Sequence, residues 1–240
     1  MNLSTSATTT FSRPSLPGIP SESRIALSRL VSAITGRPLT VLSITANEPP
    51  VDNLRDRQIR FDIPCKTENG EPVNIEMSLN PDAFELVRLE FLAGKLFTGQ
   101  NIRGSDMTYN DLKAAYQIAI LAKGRFLGDE SLLHSFEYYA PERGVSLGGR
   151  SRIITVELSK AGRFVEKPAG EMTAAELWAV YFRYLTDRSK RAKINEVIAS
   201  EEGIAMVSEV LIAISRDAVE WAPLGCIFAT KFALQKNSAY

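Results

Sequence analysis

The sequence predicts an α/β chain with α+β tendency, its sheet flanked by helices and its C-terminal part helical. Three observations carry this reading. The first half mixes helix-period segments with short strand-like runs. Beyond about residue 168 the helical pattern takes over. The chain has 240 residues and is 45% hydrophobic, enough for a full core without disulfide staples. Helices packed on a sheet are the layer solution that this order of segments favours.

The elements follow in order. Residues 1–20, "MNLSTSATTTFSRPSLPGIP", are rich in Ser, Thr and Pro and read as a disordered leader. Residues 21–168 form the core and 169–240 a helical extension packed on or beside it. "SESRIALSRLVSAITG" has apolar residues at Ile25, Leu27, Leu30, Val31, Ala33 and Ile34, with Ser21 as a cap and Gly36 as a stop. "LTVLSITA" reads as a buried strand, and a hairpin over residues 57–79 follows. "NPDAFELVRLEFLAGKLF" is a helix capped by Asn80, with Pro81 in its first position and Asp82 at the positive end of its dipole. Its expected buried stripe is Phe84, Val87 and Phe91 with Leu89, Leu92 and Leu96. "AAYQIAILA" has the continuous apolar character of a central strand, and "LLHSFEYYA" and "SRIITVELS" read as further strands. In the tail, "TAAELWAVYFRYL" opens on a capping box, Thr173 with Glu176. "AKINEVIAS" and "GIAMVSEVLIAISRDAVEWA" continue as helices, with "SEEG" as the turn between them.

Composition narrows the chemistry. Lys+Arg and Asp+Glu both number 28, so net charge neither selects nor excludes a nucleic-acid partner. Two cysteines, Cys65 and Cys226, make neither a disulfide framework nor a cysteine metal site, and a reducing cytoplasm suits them. The single histidine, His134, excludes most zinc sites and Ser-His-Asp triads. No signal-peptide pattern and no apolar run of about 18 residues is present, so no membrane association is expected.

The hairpin "RFDIPCKTENGEPVNIEMSL" raises the sharpest chemical question. A loop of Glu68, Asn69 and Gly70 puts glycine where a type I turn with a bulge needs a left-handed residue. In that register Phe61 faces Met77, Ile63 faces Ile75 and Cys65 faces Val73, so one side is wholly apolar. The other side sets Asp62 directly opposite Glu76. Carboxylates opposed at about 4.5–5.5 Å between β-carbons repel each other. A divalent metal between them resolves the repulsion. So does the ordinary charged face of an amphipathic hairpin, screened by Arg60 or Lys66, and both readings stand at this point.

The stretch from Phe61 to Phe97, with "NIEM" and "FELVRLEFLAGKLF" at the expected distances, resembles the PD-(D/E)XK nuclease superfamily. It is most similar to the branch of PD-(D/E)XK family transposases and recombination-promoting nucleases. "YNDLKAAYQIAIL" resembles the next segment of that branch, and the likeness runs from about residue 21 to 220. It implies a restriction-endonuclease-like core with a mixed central sheet, acting as a metal-dependent DNA endonuclease of the mobile-element type. Asp62 matches the motif aspartate and Glu76 the second acid, both as metal ligands, with Mg²⁺ as the cofactor and Mn²⁺ as a substitute. Ser78 falls where the superfamily usually carries Lys and this branch commonly carries Gln. That departure motivates an alternative: a catalytically impaired nuclease-fold protein with a DNA-binding or regulatory role.

Other residues enter beside this core. Glu48, on the loop after the first strand, is a third acidic ligand or an exposed loop charge, and Glu22 is a weaker candidate. Arg88 contacts phosphate or forms an ion pair with Glu85. The densest basic stretch, "RYLTDRSKRAK", offers Arg188, Lys190, Arg191 and Lys193 to a DNA backbone, or is a solvated connector. His134 reads as a strand or surface residue. The aromatics Phe136, Tyr138, Tyr139, Trp178, Tyr181, Phe182 and Tyr184 suit base stacking or, by their spacing, core packing. DNA is the expected partner, and self-association is left open.

Overall fold

The structure, a computed structural model, describes residues 21–45, 62–100, 102, 107–124 and 127–216, without the side chains of 210–216. The expected leader, Glu48, Arg60, Phe61 and Cys226 lie outside the described residues.

Helix α1 (Ser21–Thr35) precedes strand β1 (Val41–Ile44), the hairpin of β2 (Ile63–Thr67) and β3 (Pro72–Ser78), and helix α2 (Glu85–Thr98). Strand β4 (Ala115–Leu121) follows, then β5 (Leu133–Phe136), the small ribbon of β6 (Tyr139–Ala140) and β7 (Val145–Ser146), and β8 (Ser151–Glu157). The described tail contains α3 (Ala174–Tyr184), α4 (Arg191–Ser200) and α5 (Glu202–Arg216). Six strands form one sheet in the order β1-β2-β3-β4-β8-β5. β3, β4 and β8 run parallel, and the remaining pairs are antiparallel. The sheet is mixed and flanked by helices, a restriction-endonuclease-like α/β fold.

The strand period of two sorts side chains between the two faces. Val73, Ile75 and Met77 of β3, Tyr116, Ile118 and Ile120 of β4, and Ile154 and Val156 of β8 enter the main core. Helices α1, α3, α4 and α5 close that core through residues such as Leu27, Leu30, Trp178, Val197 and Ile204. Gly36 ends α1 with φ of +67°, and the Thr173–Glu176 capping box opens α3, both as expected. The opposite face belongs to α2. Leu92 and Leu96 pack on Ala115, and Leu89 packs on Ala119 and Leu121, with the partly buried Ile153 against them.

Helix α2 departs from its sequence reading in two ways. It begins at Glu85, not at the expected Asn80 cap, because the Asp82 carboxylate accepts the Phe84 N–H at 2.8 Å and holds a turn there. Its outer face is also misread by apolar count. Phe84, Val87 and Phe91 are 74%, 65% and 55% exposed, while Leu89, Leu92 and Leu96 alone of that stripe are buried. A helix lying on one sheet face buries a single stripe, and here the leucines take it. Ile25 of α1 is likewise exposed. The "LLHSFEYYA" segment is not one strand: it splits into β5 and β6, the latter pairing only with β7.

One charged pair is sealed near the end of β8. Glu157 and Lys160 are both wholly buried, with Nζ donating to Oε1 at 2.8 Å and to the Leu127 carbonyl at 3.3 Å. Asp129 lies 3.6 Å from Lys160 Nζ, and His134 Nδ1 lies 3.8 Å from Glu157. Breaking a buried pair of this kind costs about 3–5 kcal/mol, whereas replacing both members with apolar residues is often neutral. Lys160→Met should therefore lower the unfolding free energy by about that amount, and Lys160→Met with Glu157→Leu should restore most of it. Urea unfolding of the three proteins checks this. A single variant as stable as wild type contradicts it.

Candidate active site

The site grows from the β2–β3 register. Ile63 pairs with Ile75 and Cys65 with Val73, and the Thr67 N–H donates to the Glu71 carbonyl at 3.0 Å. Gly70 has φ of +78°, the left-handed turn residue that the register requires. The apolar side of the hairpin faces the main core, where burial pushes the Cys65 thiol up to about 12. The other side is not the solvated face of an amphipathic hairpin. Helix α2 covers it, Asn74 is fully buried and Glu76 is 3% exposed.

Asp62 and Glu76 are bound to each other's strands. The Asp62 N–H donates to Glu76 Oε1 at 3.1 Å, and the Met77 N–H donates to Asp62 Oδ2 at 3.1 Å. Asn74 Nδ2 donates to the same Glu76 oxygen at 2.9 Å and to Gln117 Oε1 at 3.0 Å. Arg88 closes the cluster from α2. Its Nη1 donates to Glu76 Oε2 at 3.2 Å and its Nη2 to Glu85 Oε1 at 2.5 Å. Ser78 Oγ donates to Glu85 Oε2 at 3.1 Å. The guanidinium thus lies between two buried carboxylates, so Arg88 makes the expected pair with Glu85 and a second pair that spacing alone does not reveal.

Glu76 itself is not fully compensated by Arg88. Burial, and then the nearby Asp62 charge, hold the Glu76 carboxyl above its ordinary value of 4.5, even with Asn74 and Arg88 opposing the shift. A buried acid whose charge is incompletely compensated is the electrostatic setting that a cation relieves. Two carboxylates also match the donor set of a Mg²⁺-type ion, which takes one or two protein carboxylates and completes its shell with water and phosphate oxygens. Among the described residues, no group of three His, Cys, Asp or Glu is close enough to hold a metal ion. Glu22 is exposed on α1 and does not join the pair.

The structure brings together Asp62, Glu76, Ser78 and Arg88. It does not bring the basic stretch to them. Arg188 and Lys190 form a short turn and Arg191 and Lys193 open α4, in the helical layer over the other sheet face. There Lys190 meets Glu166 at 3.5 Å and Lys193 meets Glu196 at 2.5 Å. His134 stands on β5, where it bonds Asp129 at 2.9 Å. The aromatics divide: Trp178, Tyr181 and Phe182 are core, whereas Phe136, Tyr138 and Tyr139 are exposed. Sequence reading overlooked Asn74 and Gln117. Their signal was available: Asn74 shares a strand face with Glu76, and Gln117 interrupts an otherwise apolar strand.

A mixed sheet flanked by helices, with one acid just before β2 and the other on the neighbouring β3, fits a restriction-endonuclease-like fold. The model of the PD-(D/E)XK nuclease family transposase family matches residues 20–222, and the chain belongs to that family. Its function is accordingly of the nuclease or transposase type. Comparisons with curated proteins and with solved structures found no match.

The raised Glu76 pKa has a signed consequence. The folded carboxyl releases its proton at higher pH than the unfolded one, so this residue lowers stability as pH climbs above 4.5 through the shifted range. Glu76→Gln removes the titration. The stability of Glu76→Gln minus that of wild type should therefore increase with pH across that range, measured by urea unfolding from pH 4 to 8 without divalent ions. A difference that is flat or falls with pH contradicts the electrostatic reading.

Proposed function

We propose that this chain is a divalent-metal-dependent DNA endonuclease of the mobile-element type, with Asp62 and Glu76 as the metal ligands. The observation that supports it best is the buried, incompletely compensated Glu76 beside Asp62, in a chain of a nuclease transposase family. Mg²⁺ is the expected ion, with Mn²⁺ as its substitute. When bound, the ion supplies Lewis acidity to the scissile phosphate and acidifies water. Asn74 and the Asp62 N–H fix the orientation of the Glu76 carboxylate, so the acid is held before any cation arrives. Arg88 supplies the positive charge in the meantime and is a ready phosphate contact from α2. A cytoplasmic setting, with the buried Cys65 reduced, completes the reading; among the described residues no helix is long and apolar enough to cross a membrane.

Ser78 supports a second reading, a binding protein with little or no turnover. Its hydroxyl is engaged with Glu85 and supplies no cation where the superfamily usually carries Lys. Supercoiled plasmid nicking with Mg²⁺ or Mn²⁺ separates the two. The endonuclease reading expects nicking by wild type, loss in Asp62→Asn and Glu76→Gln, and faster nicking in Ser78→Lys, since a preorganised charge at the reacting phosphate is often worth about 3 kcal/mol. Metal-independent traces that are the same for all four proteins would reject it and favour the binding protein.

Arg88 gives a separate test. Its guanidinium competes with a metal ion for Glu76. Arg88→Ala should tighten Mg²⁺ binding and weaken binding of a short DNA duplex, read by calorimetry and by fluorescence anisotropy. Weaker metal binding in the variant would show that Arg88 organises the seat instead of competing for it.

A further inference from the structure

A second concavity lies on the same sheet face. Helix α2 runs along β4, with Arg88 reaching Glu76 on one flank and a cavity of about 240 Å³ on the other, toward β8 and β5. Ala93 supplies part of its helix wall, and Phe136 and Tyr138, both exposed aromatics, supply the opposite side. Thr155 lines it from β8. That residue is wholly buried, and its Oγ1 has no hydrogen-bond partner among the described residues. A buried hydroxyl without a partner is rare and costs free energy, which a ligand that bonds it would recover. Glu90 adds a carboxylate acceptor to the lining, and so does Glu137, which also pairs with Arg152 at 3.4 Å.

The size and lining select the occupant. The cavity falls below the roughly 300–1,000 Å³ of sites that take drug-sized molecules, leaving room for about one flat ring system. Aromatic walls suit the faces of such a ring, and a hydroxyl with nearby carboxylates suits an edge that carries N–H donors. Glu76, Ala119 and Thr155 are register partners across β3, β4 and β8. Two strand spacings place Thr155 about 9–10 Å from Glu76 along the sheet, and α2 lies over β4 between them, so a strand serving both must pass around or over that helix. We infer that this cavity binds an unstacked nucleobase, stacked on Phe136 and Tyr138 and bonded at its edge by Thr155 Oγ1. The inference rests on the DNA reading given above, and it adds that a base must leave the duplex stack, or come from a single strand.

The test uses the full chain in EDTA, so that no cleavage intervenes. A single-stranded oligonucleotide carrying one 2-aminopurine is titrated with protein, and binding is read twice. Anisotropy of an end label reports capture of the strand, and 2-aminopurine emission reports the base. Free 2-aminopurine nucleoside forms a parallel arm. The expected result is a change in base emission that Phe136→Ala weakens about ten-fold, the size of one lost base–aromatic stack. Ala93→Leu, which fills the cavity, should abolish the emission change while leaving the melting temperature near that of wild type. Thr155→Val, which keeps the shape and removes the hydroxyl, should give an intermediate loss. An emission change with the free nucleoside, equally sensitive to Phe136→Ala, supports the base site and assigns its source to free nucleotides. Capture of the strand with base emission indifferent to all three substitutions overturns the cavity assignment and leaves the nuclease reading intact. No capture of any strand, in EDTA or in Ca²⁺, overturns both.

Discussion

The candidate site depends on one interaction: a buried carboxylate, Glu76, held among a backbone N–H, the Asn74 amide and the Arg88 guanidinium, with the Asp62 charge beside it. Burial makes each of these contacts count for more, since the interior screens charge poorly. It also makes the cluster demanding, because an acid out of water must be compensated. Arg88 provides part of that compensation from a different element. The β2–β3 register and the position of α2 are therefore linked: shifting either separates Glu76 from its cation. Glu85 extends the linkage by joining Arg88 to Ser78 at the end of β3.

The two sheet faces divide the work. One is closed by α1, α3, α4 and α5 into a large apolar core that includes Trp178 and Tyr181. The other carries a smaller apolar patch under α2, with Asn74, Glu76 and Gln117 buried on that face and Thr155 farther across it. Stability resides mainly in the first face, and the second is free to hold polar side chains in fixed positions. Fixed polar groups on a rigid sheet suit a site that must be organised before its substrate binds.

Much of this was legible in the sequence, and the reasons are specific. The hairpin register followed from parity, because only one pairing puts Ile63, Cys65, Val73 and Ile75 on a common side, and Gly70 marks the turn. β4 followed from its apolar run, broken only by Gln117, and α3 from its capping box. The orientation of α2 did not follow. Its two apolar stripes compete on equal terms in sequence, and only the sheet decides that Leu89, Leu92 and Leu96 go inward while Phe84, Val87 and Phe91 stay exposed. The Arg88–Glu76 pair was hidden for a similar reason. Spacing of three on one helix announces Glu85, whereas Glu76 meets Arg88 only once α2 folds back over β3. The pairing of Lys160 with Glu157, by contrast, has a local signal in its spacing of three, but its complete burial does not.

The most direct measurement is anomalous X-ray scattering from crystals of the full chain soaked in Mn²⁺. A peak between the Asp62 and Glu76 carboxylates, lost in Glu76→Gln crystals, is the predicted result. Crystals that diffract well and show no peak there, with Arg88 still bound to Glu76 at saturating Mn²⁺, would contradict the assignment of this pair as the metal seat.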